Sequence, residues 1–257
     1  MSVGTPRVPR YRPSLLTALR AIVYVARGRP RSLGHDAYYA VAAMPCPPLV
    51  RGVEHLPDSG PYCVVANHYE RPGLWMAWPG LLLAQAVMEK SGSDLHWVAI
   101  EEWDSFRIRG IQIPPVLTRL VFDRTYQVYG IIAMPPPYAS AKERAGAIRD
   151  TAHQVRNGAI VGLMPEGTVG ETPELLPARE GVGTFLALLA AAGAPICPAG
   201  IHEEEGKLIV RFGPPFKPEV PRGVSREDAD RRVRDQVMTS IRDLLPPSLW
   251  GAYRPSD

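Results

Sequence analysis

His68 ends the run Pro61-Tyr62-Cys63-Val64-Val65-Ala66-Asn67, and Glu166 opens the polar stretch Glu166-Gly167-Thr168 after the apolar run Ala159 to Met164. A neutral imidazole is suited to taking a proton from a hydroxyl near pH 7. The carboxylate of Glu166 accepts hydrogen bonds, and Gly167 permits close approach of backbone to a ligand. Taken alone, His68 reads more readily as a structural histidine than as a catalytic one, and Thr168 as a cap on whatever follows. The pair gains meaning because both polar tips follow strand-like apolar runs, so that both can meet at one rim of a sheet.

The elements that would position them read as follows. Pro61 to Ala66 is short, apolar and entered through Asp58-Ser59-Gly60-Pro61, which predicts a buried strand behind a turn. Ser140 with Glu143 three places on makes a capping box. Ala145, Ile148, Ala152 and Val155 then recur at helical spacing, and Asn157-Gly158 closes the helix ahead of strand 159–164. Gly181 to Gly193 reads as a buried helix, 196–201 and 207–212 as strands, and Ser225 as the start of a last helix. Upstream, 36–44 reads as a short helix, 49–56 as a strand beside 61–66, and 95–100 as a strand. Residues 72–88 are uncharged and interrupted by Pro79-Gly80, which predicts a kinked buried helix rather than a membrane-inserted one. Leu120 to Phe122 reads as a strand ending in Asp123-Arg124, and 125–137 as a loop.

Several stretches together resemble the glycerolipid acyltransferases of the 1-acylglycerol-3-phosphate acyltransferase type. Arg51-Gly52-Val53-Glu54-His55-Leu56-Pro57 through Asn67-His68 is similar to the approach to their N-H-x-x-x-x-D motif. Leu120-Val121-Phe122-Asp123-Arg124 resembles their second motif, and Pro165-Glu166-Gly167-Thr168 their P-E-G-T-R-S motif. Leu175 to Gly181, with Arg179, resembles the basic segment that follows, and Ala194-Pro195-Ile196-Cys197-Pro198-Ala199 a final proline-bearing strand. The resemblance spans roughly residues 49 to 213. It implies an α/β fold with a largely parallel central sheet flanked by helices. It also implies acyl transfer from acyl-CoA or acyl carrier protein to a lipid hydroxyl, with His68 as general base and no cofactor. Arg124 would bind an acceptor phosphate at a strand end, with Glu166, Gly167, Thr168 and Arg179 around the acceptor. Two positions depart from the pattern. Gly73 stands where the family's aspartate would orient the histidine, which leaves Glu70 as the nearest carboxylate in sequence. Val169 stands where an arginine would follow Glu-Gly-Thr. A catalytically silent acyl- or lipid-binding relative is the competing reading.

At 257 residues, with 46% hydrophobic and 21% charged, the chain has the composition of a globular domain. Three cysteines far apart argue against a disulfide framework and a zinc site, and favour a reducing, cytoplasmic setting. The His68-Tyr69-Glu70 string lacks the P-C-x-x-C partner of zinc deaminases. Neither a nucleophile elbow nor a phosphate-binding glycine loop occurs. Net charge is +3, unevenly spread: the first 35 residues hold seven arginines and no acid, leaving 22 basic residues against 26 acidic. The body has no basic stripe to suit a nucleic acid. The better partner is an anionic membrane surface, bound peripherally on the inner face by a basic arm and amphipathic helix (1–35) ahead of a single domain (36–257), with a first helix packed on the body as the equal alternative for that apolar stripe.

Overall fold

The computed structural model describes residues 11, 14–44, 46–101, 107–108, 111–136, 138–220 and 223–255. In chain order these form α1 (Leu15–Arg27), α2 (Leu33–Ala42), β1 (Leu49–Arg51), β2 (Cys63–Ala66), α3 (Ala77–Ser91) and β3 (Leu95–Ile100). There follow β4 (Arg107–Ile108), β5 (Ile111–Gln112), α4 (Pro115–Tyr129), β6 (Ile132–Met134), α5 (Ala141–Arg156) and β7 (Ile160–Leu163). The last elements are α6 (Val182–Ala191), β8 (Ile196–Glu204), β9 (Lys207–Phe212) and α7 (Arg226–Arg242).

Seven strands form one sheet in the order β1-β9-β8-β2-β7-β3-β6, while β4 and β5 form a separate antiparallel pair. From β8 to β6 every neighbour is parallel. The β8–β9 pair is antiparallel, so β9 and its parallel partner β1 run against the rest. The α/β class expected from the sequence is therefore observed.

Alternation along β2 divides the core. Val64 and Ala66 pack with Leu82, Leu83 and Val87 of α3 on one face. Cys63 and Val65 pack with Val155, Leu186, Leu189, Val237 and Ile241 of α5, α6 and α7 on the other. A strand buried on both faces needs apolar residues at every position, which is why the run 63–66 shows no polar alternation. On the first face α2 lies so close to α3 that a Cβ at Gly34 would collide with Met88. Helix α2 (Leu33–Ala42) runs across positions 35 and 36.

The capping box of α5 is present as expected: Ser140 Oγ accepts from Glu143 N–H at 3.2 Å, and the Glu143 carboxylate accepts from Ser140 N–H at 2.9 Å. Four expectations are corrected. Residues 49–56 form a strand only over Leu49–Arg51. Gly52, at φ 74°, turns the chain into a 3₁₀ turn, and β1 pairs with β9 rather than with β2. Pro79 does not kink α3, because it lies in the first turn, where its missing N–H costs no helical bond. The segment 120–124, expected as a strand end, lies inside α4. Pro115 opens the helix at its first position, and Gly130 (φ 61°) closes it. The strand of this part of the chain is β6, inside the stretch expected to be a loop, and Pro135-Pro136 follow it.

Candidate active site

The register brings the two tips together. Val65 pairs with Leu163, so three residues further along each strand His68 and Glu166 stand level. They are joined directly: His68 N–H donates to Glu166 Oε1 at 2.9 Å. The second oxygen, Oε2, accepts from Leu176 N–H at 3.3 Å. Glu166 is 4% exposed, and burial pushes its carboxyl up to about 7 against the opposing pull of these two donors. The carboxylate thus ties the β2 tip to the segment after β7. Gly167, at φ 65°, turns the chain with its N–H donating to Met164 O, and Thr168 is exposed beyond it.

On its other side β2 is fastened to β8. Asn67, 1% exposed, donates from Nδ2 to Ile201 O at 3.0 Å and accepts from Ile201 N–H at 2.7 Å. This side chain imitates a further rung of the sheet, which fixes where the next residue begins. The His68 imidazole is largely buried: Nδ1 has no hydrogen-bond partner, and burial pushes the ring down to about 4. It is therefore neutral near pH 7.

The loop after His68 holds residues that sequence reasoning missed. Arg71-Pro72-Gly73-Leu74 is a tight turn closed by Leu74 N–H to Arg71 O (2.9 Å) and Arg71 N–H to Leu74 O (3.2 Å). Pro72 and Gly73 (φ 90°) occupy the central positions that a type II turn assigns to them. That Pro-Gly pair was the available signal. Gly73 is thus a turn glycine and brings no carboxylate near the histidine. Nor does Glu70 orient the ring: its Oε2 accepts from Met76 N–H at 3.0 Å, at the N-cap of α3. A helix start leaves N–H groups unpaired, and a carboxylate one turn upstream satisfies one of them. Arg71 meets Glu203 of β8 in a two-pronged pair, Nε to Oε2 at 2.6 Å and Nη2 to Oε1 at 2.5 Å. Tyr69 Oη donates to the same carboxylate at 3.4 Å.

Arg179 is brought to the Glu166 tip. Its N–H donates to Pro165 O, and its side chain lies against Gly167, where a Cβ would meet its Cδ at 3.1 Å. Its segment is held by α7: Arg234 donates to Ala178 O, while Asp230 accepts from Gly181 and Thr184 N–H and pairs with Arg234. Arg124, by contrast, is exposed on α4, with its guanidinium against Gly28 at the end of α1. The structure does not join it to His68 or Glu166. Among the described residues no cluster of three metal-ligating side chains occurs.

A family model for acyltransferases matches residues 48–202. The chain belongs to the acyltransferase family. The match contains His68, Glu166 and Arg179, and it agrees with the resemblance read from the motifs. Among solved structures, this acyltransferase is similar to the 1-acyl-sn-glycerophosphate (LPA) acyltransferase PlsC from Thermotoga maritima. The TM-score is 0.52 at 16% identity, over 89% of this chain and 87% of that one, a likeness of fold. No curated protein sequence matches the chain.

Proposed function

We propose that this acyltransferase moves a fatty acyl group from a thioester, acyl-CoA or acyl carrier protein, to the hydroxyl of a lipid acceptor, with His68 as general base. The observation that carries this reading is a neutral, largely buried imidazole at the tip of β2, level with Glu166 of β7. Nδ1 is enclosed, so Nε2 is the nitrogen left for substrate. It takes the acceptor's hydroxyl proton as the oxygen attacks the thioester carbonyl. The carbon–sulfur bond then breaks, and the proton passes to the departing sulfur. Glu166 acts by holding the two tips together, while the exposed Thr168 hydroxyl and Arg179 line the acceptor side. The test is mass spectrometry of purified protein with acyl-CoA and a panel of lipid alcohols: acylated product supports the reading. The unpartnered Nδ1 and the turn at Gly73 favour the second reading, a silent acyl-binding relative, which predicts acyl-CoA binding without product.

The acceptor in this proposal carries no phosphate monoester. The resemblance calls for cations after Glu-Gly-Thr and at the end of the second-motif strand. Val169 holds the first place, and Arg124, which the resemblance puts at the second, lies on α4 against Gly28, where the structure does not join it to His68 or Glu166.

The place of action is an anionic membrane surface on the cytoplasmic side. No described helix is long and apolar enough to cross a membrane. Helix α1 buries no residue, and Leu15 (76% exposed), Leu19, Ile22 and Val23 face away from the side that packs on α4. Val116 (82% exposed), Leu117, Leu120 and Val121 give α4 an outward apolar stripe as well, with Arg124 one turn on and Arg20 and Arg27 on α1. Exposed apolar stripes bordered by arginines suit a bilayer interface with anionic lipid.

A further inference from the structure

On the reading of His68 as the base, we infer that the Arg71–Glu203 pair is the positioning element of this site, holding His68 through its backbone where no carboxylate holds its ring. The family pattern places an aspartate at position 73, and this chain uses that position for a turn. With Nδ1 unpartnered, the imidazole takes its orientation from the main chain that carries it.

That main chain is fastened to β8 on both sides of His68. Before it, Asn67 makes two hydrogen bonds to Ile201. After it, Tyr69 and Arg71 converge on Glu203, two residues further along β8 and on the same face of the sheet. The ion pair lies mostly out of water, its side chains 13% and 11% exposed. Both guanidinium prongs are engaged, a geometry that fixes direction as well as distance. Arg71 also donates to Pro72 O, its guanidinium lies 5.7 Å from the centre of the Tyr11 ring, and Tyr11 N–H donates to Gly73 O at 2.7 Å. The turn that replaces the aspartate is thus clamped from two directions. Glu166 closes the third side through His68 N–H. Displacement of an acceptor oxygen by an ångström from the base lowers rate steeply, so this clamp is where precision enters the site.

The decisive variant is the double change Arg71→Met with Glu203→Leu, which removes both charges together and leaves neither one buried alone. Single changes, Arg71→Gln and Glu203→Gln, accompany it, and melting curves report folding. The expected result is a folded double variant with kcat lowered at least tenfold and KM for acyl-CoA within twofold of wild type. In protein labelled with ¹⁵N at histidine, the His68 ring signals (assigned by their loss in His68→Ala) should broaden or split as the ring leaves one orientation. A folded double variant with wild-type kcat and sharp, unmoved His68 signals overturns the inference and leaves the pair a stabilising contact only. Parallel losses in kcat and KM would also overturn it, since they report a damaged substrate pocket. Should the wild type show no transfer, the proposed function fails, and the ¹⁵N signals still decide whether the pair orients His68. If the double variant does not fold, Arg71→Lys keeps the charge and removes the fork, and is read by the same two criteria.

Discussion

His68 and Glu166 are a pair whose pKa values are displaced in opposite directions by the same cause, removal from water. Replacing His68 by Ala should lower kcat by ~10²–10⁴-fold, the usual contribution of a positioned base, as read by product formation under saturating acyl-CoA. Near-wild-type turnover would remove His68 from the mechanism. Glu166 gives a stability prediction. Its carboxyl is raised from 4.5 to about 7, so its favourable contribution is complete below the lower value and is lost as pH rises through the upper one. His68, lowered from 6.5 to about 4, contributes above the first value and loses that contribution as pH falls through the second. The Glu166→Gln change turns an amide NH₂ toward one of the two N–H donors and should cost about 1–3 kcal/mol. In paired melting curves, the advantage of wild type over this variant should shrink as pH rises through neutrality. An advantage that grows with pH would contradict a carboxyl held up by burial. Both residues were legible because each ends a short apolar run. Their partners were not: Glu166 bonds the backbone of a residue 98 positions away, and Arg71 a carboxylate 132 away. Nothing local in the sequence encodes such pairings.

At the level of elements, α4 shows how punctuation misleads. Pro114-Pro115 and the apolar Leu120-Val121-Phe122 suggest a break followed by a strand, yet proline at a first helical position and glycine past the last describe a helix equally well. Where α5 carries a capping box and a clean period, no ambiguity arose. The correction moves Arg124 from the acceptor site to the α1–α4 face. Substituting Leu120 and Val121 by Asp should therefore weaken co-sedimentation with anionic vesicles by roughly tenfold or more, since each buried leucine or valine is worth about 1.5–3 kcal/mol. Turnover of a dispersed, short-chain acceptor should be unaffected. Deleting residues 1–30 should have a similar effect on vesicle binding, and wild-type binding should release at high salt. Undiminished binding by both variants would place the membrane contact elsewhere.

Across the whole molecule, the sheet order could not be read in advance, because β1 and β9 run against the other five strands and β2 pairs with the late strand β8. What the sequence did convey was the sum of its parts: parallel strands, helices on both faces and two polar tips at one rim. Under the proposed function, the same arrangement makes a prediction about the acceptor. A hydrogen bond to a charged group is worth ~1.5–3 kcal/mol, so each absent phosphate contact lowers affinity by one to two decades. Comparing kcat/KM for lysophosphatidic acid with that for uncharged lipid alcohols should show no preference for the phosphorylated acceptor. A strong preference, abolished by Arg179→Ala, would show that Arg179 alone suffices for the phosphate.

The turn at Gly73 also bears on reversibility. A single change to Asp at this position writes the family motif back into the sequence, yet the backbone there stands at φ 90°, which an aspartate adopts only at a cost of about 1–3 kcal/mol. Its carboxylate would leave a turn already closed on Leu74 and bonded to Tyr11. Gly73→Asp should accordingly lower the melting temperature and leave kcat no higher than wild type, as thermal melts and initial rates would show. A gain in kcat would mean that a carboxylate at this position can reach the histidine. Otherwise a histidine–aspartate pair is closed to any single substitution at this position: the turn would have to be dismantled first, through intermediates that have lost one way of holding the histidine before acquiring the other.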